Sequence, residues 1–220
     1  MLYHLNFGLI WRYFPKLAWG LVLGLELAVV SIAIGVVIGL GLALLYESRG
    51  RAVRVLVSLY VEFVRNVPLI LLVYLVFYGV PTLVDLRYDA TTSFVATLAL
   101  YSGAYLVEIF RTGLAAVPRG LIDAGKAIGL TPLQRFVSVR LPTMFRIVLP
   151  ALSNTFVSLF KDTSVASVLA VPELTYGAQW INFNTFRIIE VYAIVTPMYL
   201  VTGYAILGAL RQLERRFKVK

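Results

Sequence analysis

Hydrophobic positions in this chain gather into long unbroken runs separated by short polar segments. A helix needs about 20 apolar residues to cross the hydrocarbon core of a bilayer. Stretches of that length fall at roughly 17–45, 56–79, 91–110, 147–171 and 190–210. The first follows Arg12 and Lys16, as the apolar region of a signal peptide would, yet it is far longer than such a region. No small-residue cleavage site follows it before Tyr46-Glu47-Ser48-Arg49, so it reads as an uncleaved span. The pattern predicts an all-α polytopic membrane protein with five transmembrane helices. Residues 1–220 form one domain in this reading, because no repeat, linker or low-complexity tract divides them.

One connection is long and carries helix signals. Residues 113–145 lie between the third and fourth runs. Within them Pro118 can open a helix, Leu121, Ala124 and Ile128 recur at helical spacing, and Gly129 suits the position just past a C-terminus. Thr131-Pro132-Leu133-Gln134 then reads as an N-cap, a first-turn proline and a capping-box partner. Phe136 and Val137 continue the apolar face until Leu141-Pro142 ends it. Two short amphipathic helices joined at a bend are expected, forming a small knob outside the membrane.

Composition supports the membrane assignment. Hydrophobic residues make up 60% of the chain and charged residues 14%, against about half and a quarter in soluble domains. The net charge of +9 would suggest nucleic acid in a soluble protein, but here its distribution reports sidedness. One set of alternate segments holds Arg49, Arg51, Arg54, Arg111, Arg119, Lys126, Arg135, Arg140, Arg146, Arg211, Arg215, Arg216, Lys218 and Lys220. The other holds only Arg12, Lys16, Arg87 and Arg187. The bias predicts a cytoplasmic knob, an external N-terminus and an internal C-terminus. With no Cys there is no disulfide, thiolate catalysis or thiolate-bound metal, and the single His4 reads as a polar residue near a terminus.

Inside the knob the chain reads Asp123-Ala124-Gly125-Lys126-Ala127-Ile128-Gly129-Leu130, and later Val139-Arg140-Leu141-Pro142. This resembles the cytoplasmic "EAA" loop of integral membrane subunits from ATP-binding-cassette importers. The departures are Asp123 for Glu, Gly125 for the second Ala and Val139 for Ile. Three further segments look like the polar amino acid branch of that family. They are Tyr60-Val61-Glu62-Phe63-Val64-Arg65-Asn66-Val67-Pro68-Leu69, Ala104 to Leu114, and Lys161-Asp162-Thr163-Ser164-Val165 followed by Val171-Pro172-Glu173-Leu174. The resemblance runs from about the second span to the C-terminus.

The resemblance implies a permease subunit without catalysis of its own, in the inner membrane. Its implied partners are a second permease subunit, identical or paralogous, two ATPase subunits and an extracytoplasmic amino acid binding protein. It also implies that Asp123, Ala124, Gly125, Gly129, Leu130, Leu141 and Pro142 couple the chain to an ATPase. The small residues Ala124, Gly125 and Gly129 would let a partner backbone approach closely. No cofactor is expected in this chain, with ATP and Mg bound by the ATPase. Gly120-Leu121-Ile122-Asp123-Ala124-Gly125-Lys126-Ala127 nearly matches a phosphate-binding loop, but Ala127 replaces the Mg²⁺-binding hydroxyl and no strand precedes the glycine.

Charges inside apolar runs need a reason. Lys161 and Asp162, with Thr163 and Ser164, lie past the middle of the fourth span and could meet the two charges of an amino acid. An interhelical ion pair is the rival reading. Consecutive helix residues point about 100° apart, so both can face one ligand only if the helix opens locally. Glu62 with Arg65, and Glu108 with Arg111, are acid-then-base pairs at i, i+3. They suit structural neutralisation, with gating as the alternative, and Asn66 and Pro68 loosen the helix beside the first pair. The candidate translocation residues are thus Glu62, Arg65, Asn66, Lys161, Asp162, Thr163 and Ser164, with Glu108 and Arg111 as a gating or structural pair.

Smaller features concern packing. Gly35-x-x-x-Gly39 suits close helix approach within the subunit or between subunits. Pro197 is expected to kink the fifth span, and Tyr176, Trp180 and Phe183 suit an interfacial aromatic belt or a docking surface. A membrane hydrolase or redox protein would need a nucleophile and base or axial ligands that this chain lacks. A secondary transporter driven by an ion gradient would not need the knob, and most such folds carry inverted repeats.

Overall fold

The computed structural model describes residues 4–48 and 50–217, and no strand occurs among them. Arg49, Lys218 and Lys220, three of the cations used to read sidedness, lie outside the described residues. A short α1 (Phe7–Trp11) is capped by Asn6, whose side chain accepts from the Leu9 N–H. It leads into the long α2 (Phe14–Ser48). The Asn6 N–H donates to the buried Glu190 carboxylate at 2.9 Å, and Ile10 is fully buried.

The second apolar run is not one helix. It divides into α3 (Arg51–Asn66) and α4 (Leu69–Val84), which meet at 108°. Pro68 is the cause: the residue before a proline is pushed out of the helical region, and Val67 sits at φ −98°, ψ 131°. Val57, Val61 and Val64 turn one face of α3 toward Ala104 and Val107, leaving Leu56, Leu59 and Phe63 exposed on another. The expected span over 56–79 is therefore a broken pair, with the break at Pro68, where a loosened helix was expected.

Helix α5 (Ala90–Ala115), capped by Asp89, runs against α2 as the spine of the bundle. The approach is possible because of small residues. A Cβ on Gly35 would lie 1.9 Å from the Ser102 hydroxyl, and one on Gly39 would lie 2.6 Å from Leu106 Cβ. Overpacking of that kind costs about 1–3 kcal/mol, so Gly35-x-x-x-Gly39 serves packing within the chain. Ser31 and Ser102 add hydroxyl bonds to facing carbonyls, both at 3.3 Å. Phe94, Leu98, Leu106 and Phe110 are buried along the same seam.

The knob follows. Helix α6 (Arg119–Ala127) begins after Pro118 and ends in a Schellman turn. The Gly129 N–H donates to Lys126 O and the Leu130 N–H to Gly125 O, both at 3.0 Å, with Gly129 at φ +81°. Thr131 and Gln134 form the expected reciprocal capping box. The chain then departs from expectation. Leu141-Pro142 does not end the second knob helix, because α7 runs unbroken over Pro132–Leu169 and carries the knob directly into the fourth span. A π-helical turn at Phe136–Arg140 makes this possible. The Leu141 N–H bonds back five residues to Phe136 O, which re-registers the ladder just before the proline that cannot donate.

The last elements are α8 (Leu174–Thr185) and α9 (Ile188–Phe217), which continues through Pro197 without a break. Among the described residues four helices are long and apolar enough to cross a membrane, or five if α3 and α4 count as one broken span. Of the aromatic residues in α8, Trp180 is taken up internally: the Lys16 ammonium lies 3.2 Å from its ring centre and Tyr13 meets it edge-on. Phe183 remains exposed.

Candidate functional site

Two polar cavities lie along one face of α5. The lower, about 520 Å³, is lined by Tyr46 of α2, Ser58, Glu62, Arg65 and Asn66 of α3, and Tyr105, Glu108 and Arg111 of α5. The upper, about 420 Å³, is lined by Tyr101, Tyr105, Asn154, Thr155, Ser158 and Asp162. Tyr105 belongs to both, and the Tyr101 and Tyr105 hydroxyls are 3.2 Å apart. Positions 101, 105, 108 and 111 follow helical spacing, so they form a continuous stripe on one face of α5. The two acid-base pairs, far apart in sequence, thus line one cleft.

Within that cleft the pairs differ. Arg111 bonds Glu108 at 3.2 Å and stacks 4.4 Å from the Tyr46 ring centre. Glu62 and Arg65, at the same spacing, form no ion pair among the described residues. Arg65 instead lies over the Tyr105 ring at 5.2 Å, and the Asn66 amide donates to the Glu62 carbonyl at 2.7 Å. The expected neutralisation of Glu62 by Arg65 is absent because the guanidinium turns toward the aromatic face of α5.

The fourth-span cluster is also divided. Asp162 faces the upper polar cavity, whereas Lys161 lines a mostly apolar groove with Val157, Tyr199, Gly203 and Tyr204 toward α9. The helix stays closed through Asp162 and tightens to 3₁₀ geometry only from Thr163, so neighbouring side chains keep their angular separation. Thr163 is buried, its hydroxyl donating to Phe160 O at 2.7 Å. Ser164 is half-buried and its carbonyl accepts from the Ser167 hydroxyl. Of the four residues Asp162 alone lines the polar cavity; Lys161, Thr163 and Ser164 do not join it. Tyr101, Tyr105, Asn154 and Ser158 do, and sequence reasoning missed them. Their signal was polar residues repeating every three to four positions within apolar runs.

On the knob, Asp123 pairs with Lys126 at 2.7 Å, and that ammonium holds its carboxyl below the usual range. Ala124, Ile128, Gly129 and Leu133 are exposed, and Leu130 is half-buried. Gly125 is buried against Arg135, whose Cγ would lie 3.2 Å from an added Cβ. Leu141 packs into the cluster of Leu106, Phe110 and Met144 at the base of the knob, and Pro142 lines a groove beside Phe145. Leu121, Ile128 and Leu133 form an apolar crown left exposed among the described residues. At the knob's base, Arg140 bonds Glu47 of α2 at 2.6 Å and the Leu114 carbonyl of α5 at 3.2 Å. One guanidinium thus ties the π-helical turn to the ends of both spine helices.

Residues 35–219 match the family model described as "Binding-protein-dependent transport system inner membrane component". The chain belongs to that family. Similar curated proteins include the octopine transport system permease of Rhizobium radiobacter, 33% identical over 93% of this chain and 87% of that protein. The glutamine transport system permease of Escherichia coli is 33% identical over 97% and 98%. The L-cystine permease of Bacillus subtilis is 35% identical over 93% and 87%. A crystal structure of an amino acid ABC transporter matches at TM-score 0.88 with 31% identity, covering 97% of this chain and all of that one. A methionine transporter shares the fold at TM-score 0.75 and 22% identity. The protein is an inner membrane permease, and the resemblance read from its knob holds.

The Arg140 clasp of this permease has a testable consequence. Arg140→Glu places two carboxylates together at the knob's base, and ATP-driven transport by the assembled permease should fall at least about tenfold, as for a partly buried charge pair broken on one side. Adding Glu47→Arg restores the opposite charges and should recover much of the rate. Equal loss in the single and double variants would show that the pair does not carry coupling.

A second consequence concerns Glu173, the N-cap of α8. Its buried carboxylate accepts from the Thr175 and Tyr176 N–H groups at 2.8 Å and from the Tyr199 hydroxyl at 2.9 Å. Burial pushes its pKa up to about 7 and outweighs those donors. A carboxyl raised in the folded state stabilises most below its unfolded value near ~4.3, and that stability is lost as pH rises toward about 7. The melting temperature of the purified permease should decline across that window, and Glu173→Gln should flatten the decline. An unchanged slope in the variant would remove Glu173 as its source.

Proposed function

We propose that the chain is the translocating subunit of an ATP-driven amino acid importer. The observation that carries this reading is the pairing of a polar stripe through the bundle with an uncovered apolar knob rigidly joined to it. The stripe runs from Asp162 past Tyr101 and Tyr105 to Glu62, Arg65, Asn66, Glu108 and Arg111. A zwitterionic substrate suits it, because Asp162 offers an anion for the ammonium and the lower cleft offers guanidinium groups for the carboxylate. Relatives are named for the transport of octopine, glutamine and L-cystine, molecules that each hold an amine beside a carboxylate.

In this reading all 220 residues form one permease domain with five spans, the broken α3 and α4 pair counting as the second. The N-terminus lies outside and the C-terminus inside. The knob crown of Leu121, Ile128 and Leu133 docks in an ATPase subunit that binds ATP and Mg, so no cofactor resides in this chain. The exposed stripe of Leu56, Leu59 and Phe63 suits lipid or a second permease subunit. An external binding protein delivers the substrate, and nucleic acid has no role. Closure of two ATPase subunits on ATP would push the knob, and α7, being continuous, would carry that motion to Asp162.

The reading is tested by ATP hydrolysis in the complex of this permease with its ATPase, in lipid nanodiscs. Amino-acid-loaded binding protein should stimulate hydrolysis several-fold over unloaded protein, and equal rates would contradict the reading. Sidedness is tested separately, since the chain has no Cys. In whole cells a membrane-impermeant maleimide should label Phe186→Cys and spare Ile128→Cys; the reverse pattern would invert the topology.

A further inference from the structure

The knob end of the fourth span carries an apolar groove with an uncommitted cation at its rim. Pro142, Phe145, Arg146 and Leu149 of α7 line it, and its volume of about 360 Å³ falls in the range of small-molecule sites. Phe145 is fixed as one wall by Phe110, which meets it edge-on with ring centres 5.8 Å apart. Arg146 is exposed, and its guanidinium has no ion pair or hydrogen bond among the described residues. Direction and depth indicate what covers the groove. At about 100° per residue, Leu149 lies roughly 140–180° around α7 from Asn154, Ser158 and Asp162, which line the upper polar cavity. The groove therefore opens away from the polar path. Arg146 immediately precedes the apolar run at 147–171, which places it at headgroup level, with Leu149 one turn deeper among acyl chains. Helix α9 adds charge at that level. A Cβ on Gly203 would lie 3.7 Å from Val157 Cγ1, which fixes the antiparallel register of α7 and α9. At 1.5 Å per residue from that contact, Arg211 and Arg215 fall within about 5 Å of the depth of Arg146. Both are exposed, and with Arg146 they outnumber Glu214 between them.

We propose that this groove binds an anionic phospholipid of the knob-side leaflet, with the phosphate on Arg146 and an acyl chain over Phe145 and Leu149. A guanidinium takes a phosphate through two parallel bonds, and basic pockets beside spans recognise such headgroups. The groove supplies both halves of that chemistry: a free cation at headgroup depth and an apolar wall directly beneath it. The inference goes beyond the importer reading and rests on it only in naming that leaflet the cytoplasmic one.

The test is native mass spectrometry of the delipidated permease and ATPase complex, titrated with dioleoyl phosphatidylglycerol or dioleoyl phosphatidylcholine. One phosphatidylglycerol per permease chain should bind at least about fivefold more tightly than phosphatidylcholine. Arg146→Gln should abolish that preference and Arg146→Lys should keep most of it. Leu149→Trp, which fills the groove, should weaken both lipids. Arg51→Gln removes an exposed cation at the start of α3, outside the groove, and should leave the preference unchanged. Equal wild-type affinities for the two lipids, or a preference that survives Arg146→Gln or falls equally in Arg51→Gln, would overturn the site. So would the absence of bound lipid because a second permease chain covers the groove. The wild-type comparison decides even if a variant fails to assemble. None of these outcomes touches the importer reading, which falls only if loaded binding protein fails to stimulate ATP hydrolysis.

Discussion

Replacing Gly129 with leucine should reduce ATP-driven uptake by more than about tenfold while the protein still inserts and folds its spans. The cause is conformational rather than steric. Gly129 sits at φ +81° with nothing within 4 Å of an added Cβ, so there is room for a side chain but strain in holding the backbone. An L-residue in that region costs about 1–2 kcal/mol, and a bulky one more than asparagine, which visits it readily. Two bonds depend on the turn: Gly129 N–H to Lys126 O, and Leu130 N–H to Gly125 O. Losing them changes the angle between α6 and the start of α7, and with it the placement of Ile128 and Leu133. Uptake should therefore rank glycine, then asparagine, then alanine, then leucine. Normal transport by Gly129→Leu would show that the knob's shape does not govern coupling.

The second large effect belongs to Asp162. Asp162→Asn keeps the shape of the side chain and removes the charge that faces Tyr101, Tyr105, Asn154 and Ser158. A hydrogen bond to a charged group contributes about 1.5–3 kcal/mol, so substrate affinity should fall roughly 10- to 100-fold. Assembly with the ATPase should be unaffected, because Asp162 lies far along α7 from the knob. Lys161→Met is the matched comparison: it alters the groove toward α9 and should leave affinity within about twofold, as is usual for changes away from a site. If Lys161→Met weakened binding as much as Asp162→Asn, the separation of the two residues on α7 would not hold during transport.

What could be read in the chain beforehand was whatever depended on local signals. Gly129 and the Thr131–Gln134 capping box announced the knob because caps are decided within four or five residues. Pairings that depended on long-range packing were not legible. Glu62 and Arg65 have ion-pair spacing, yet Arg65 is drawn to Tyr105, 40 positions away in the chain. Gly125 looked like a place for a partner's backbone and is filled by Arg135 of the same chain. Pro68 and Pro142 carry the same local warning with opposite results. The first breaks its span at 108°, while the second is absorbed by a π-helical turn that makes knob and span one lever. The Arg140 clasp, which joins that turn to Glu47, was invisible because its partners are 93 residues apart.

We expect this chain to conduct amino acids only when a partner subunit hydrolyses ATP. Proteoliposomes holding the permease and its ATPase, with the binding protein outside and ATP enclosed, should accumulate a labelled amino acid from a panel. Uptake should stop when ATP is withheld or Asp162 is changed to asparagine, and should persist when an uncoupler collapses the ion gradients. Accumulation that continued without ATP, or that an uncoupler abolished, would contradict the claim.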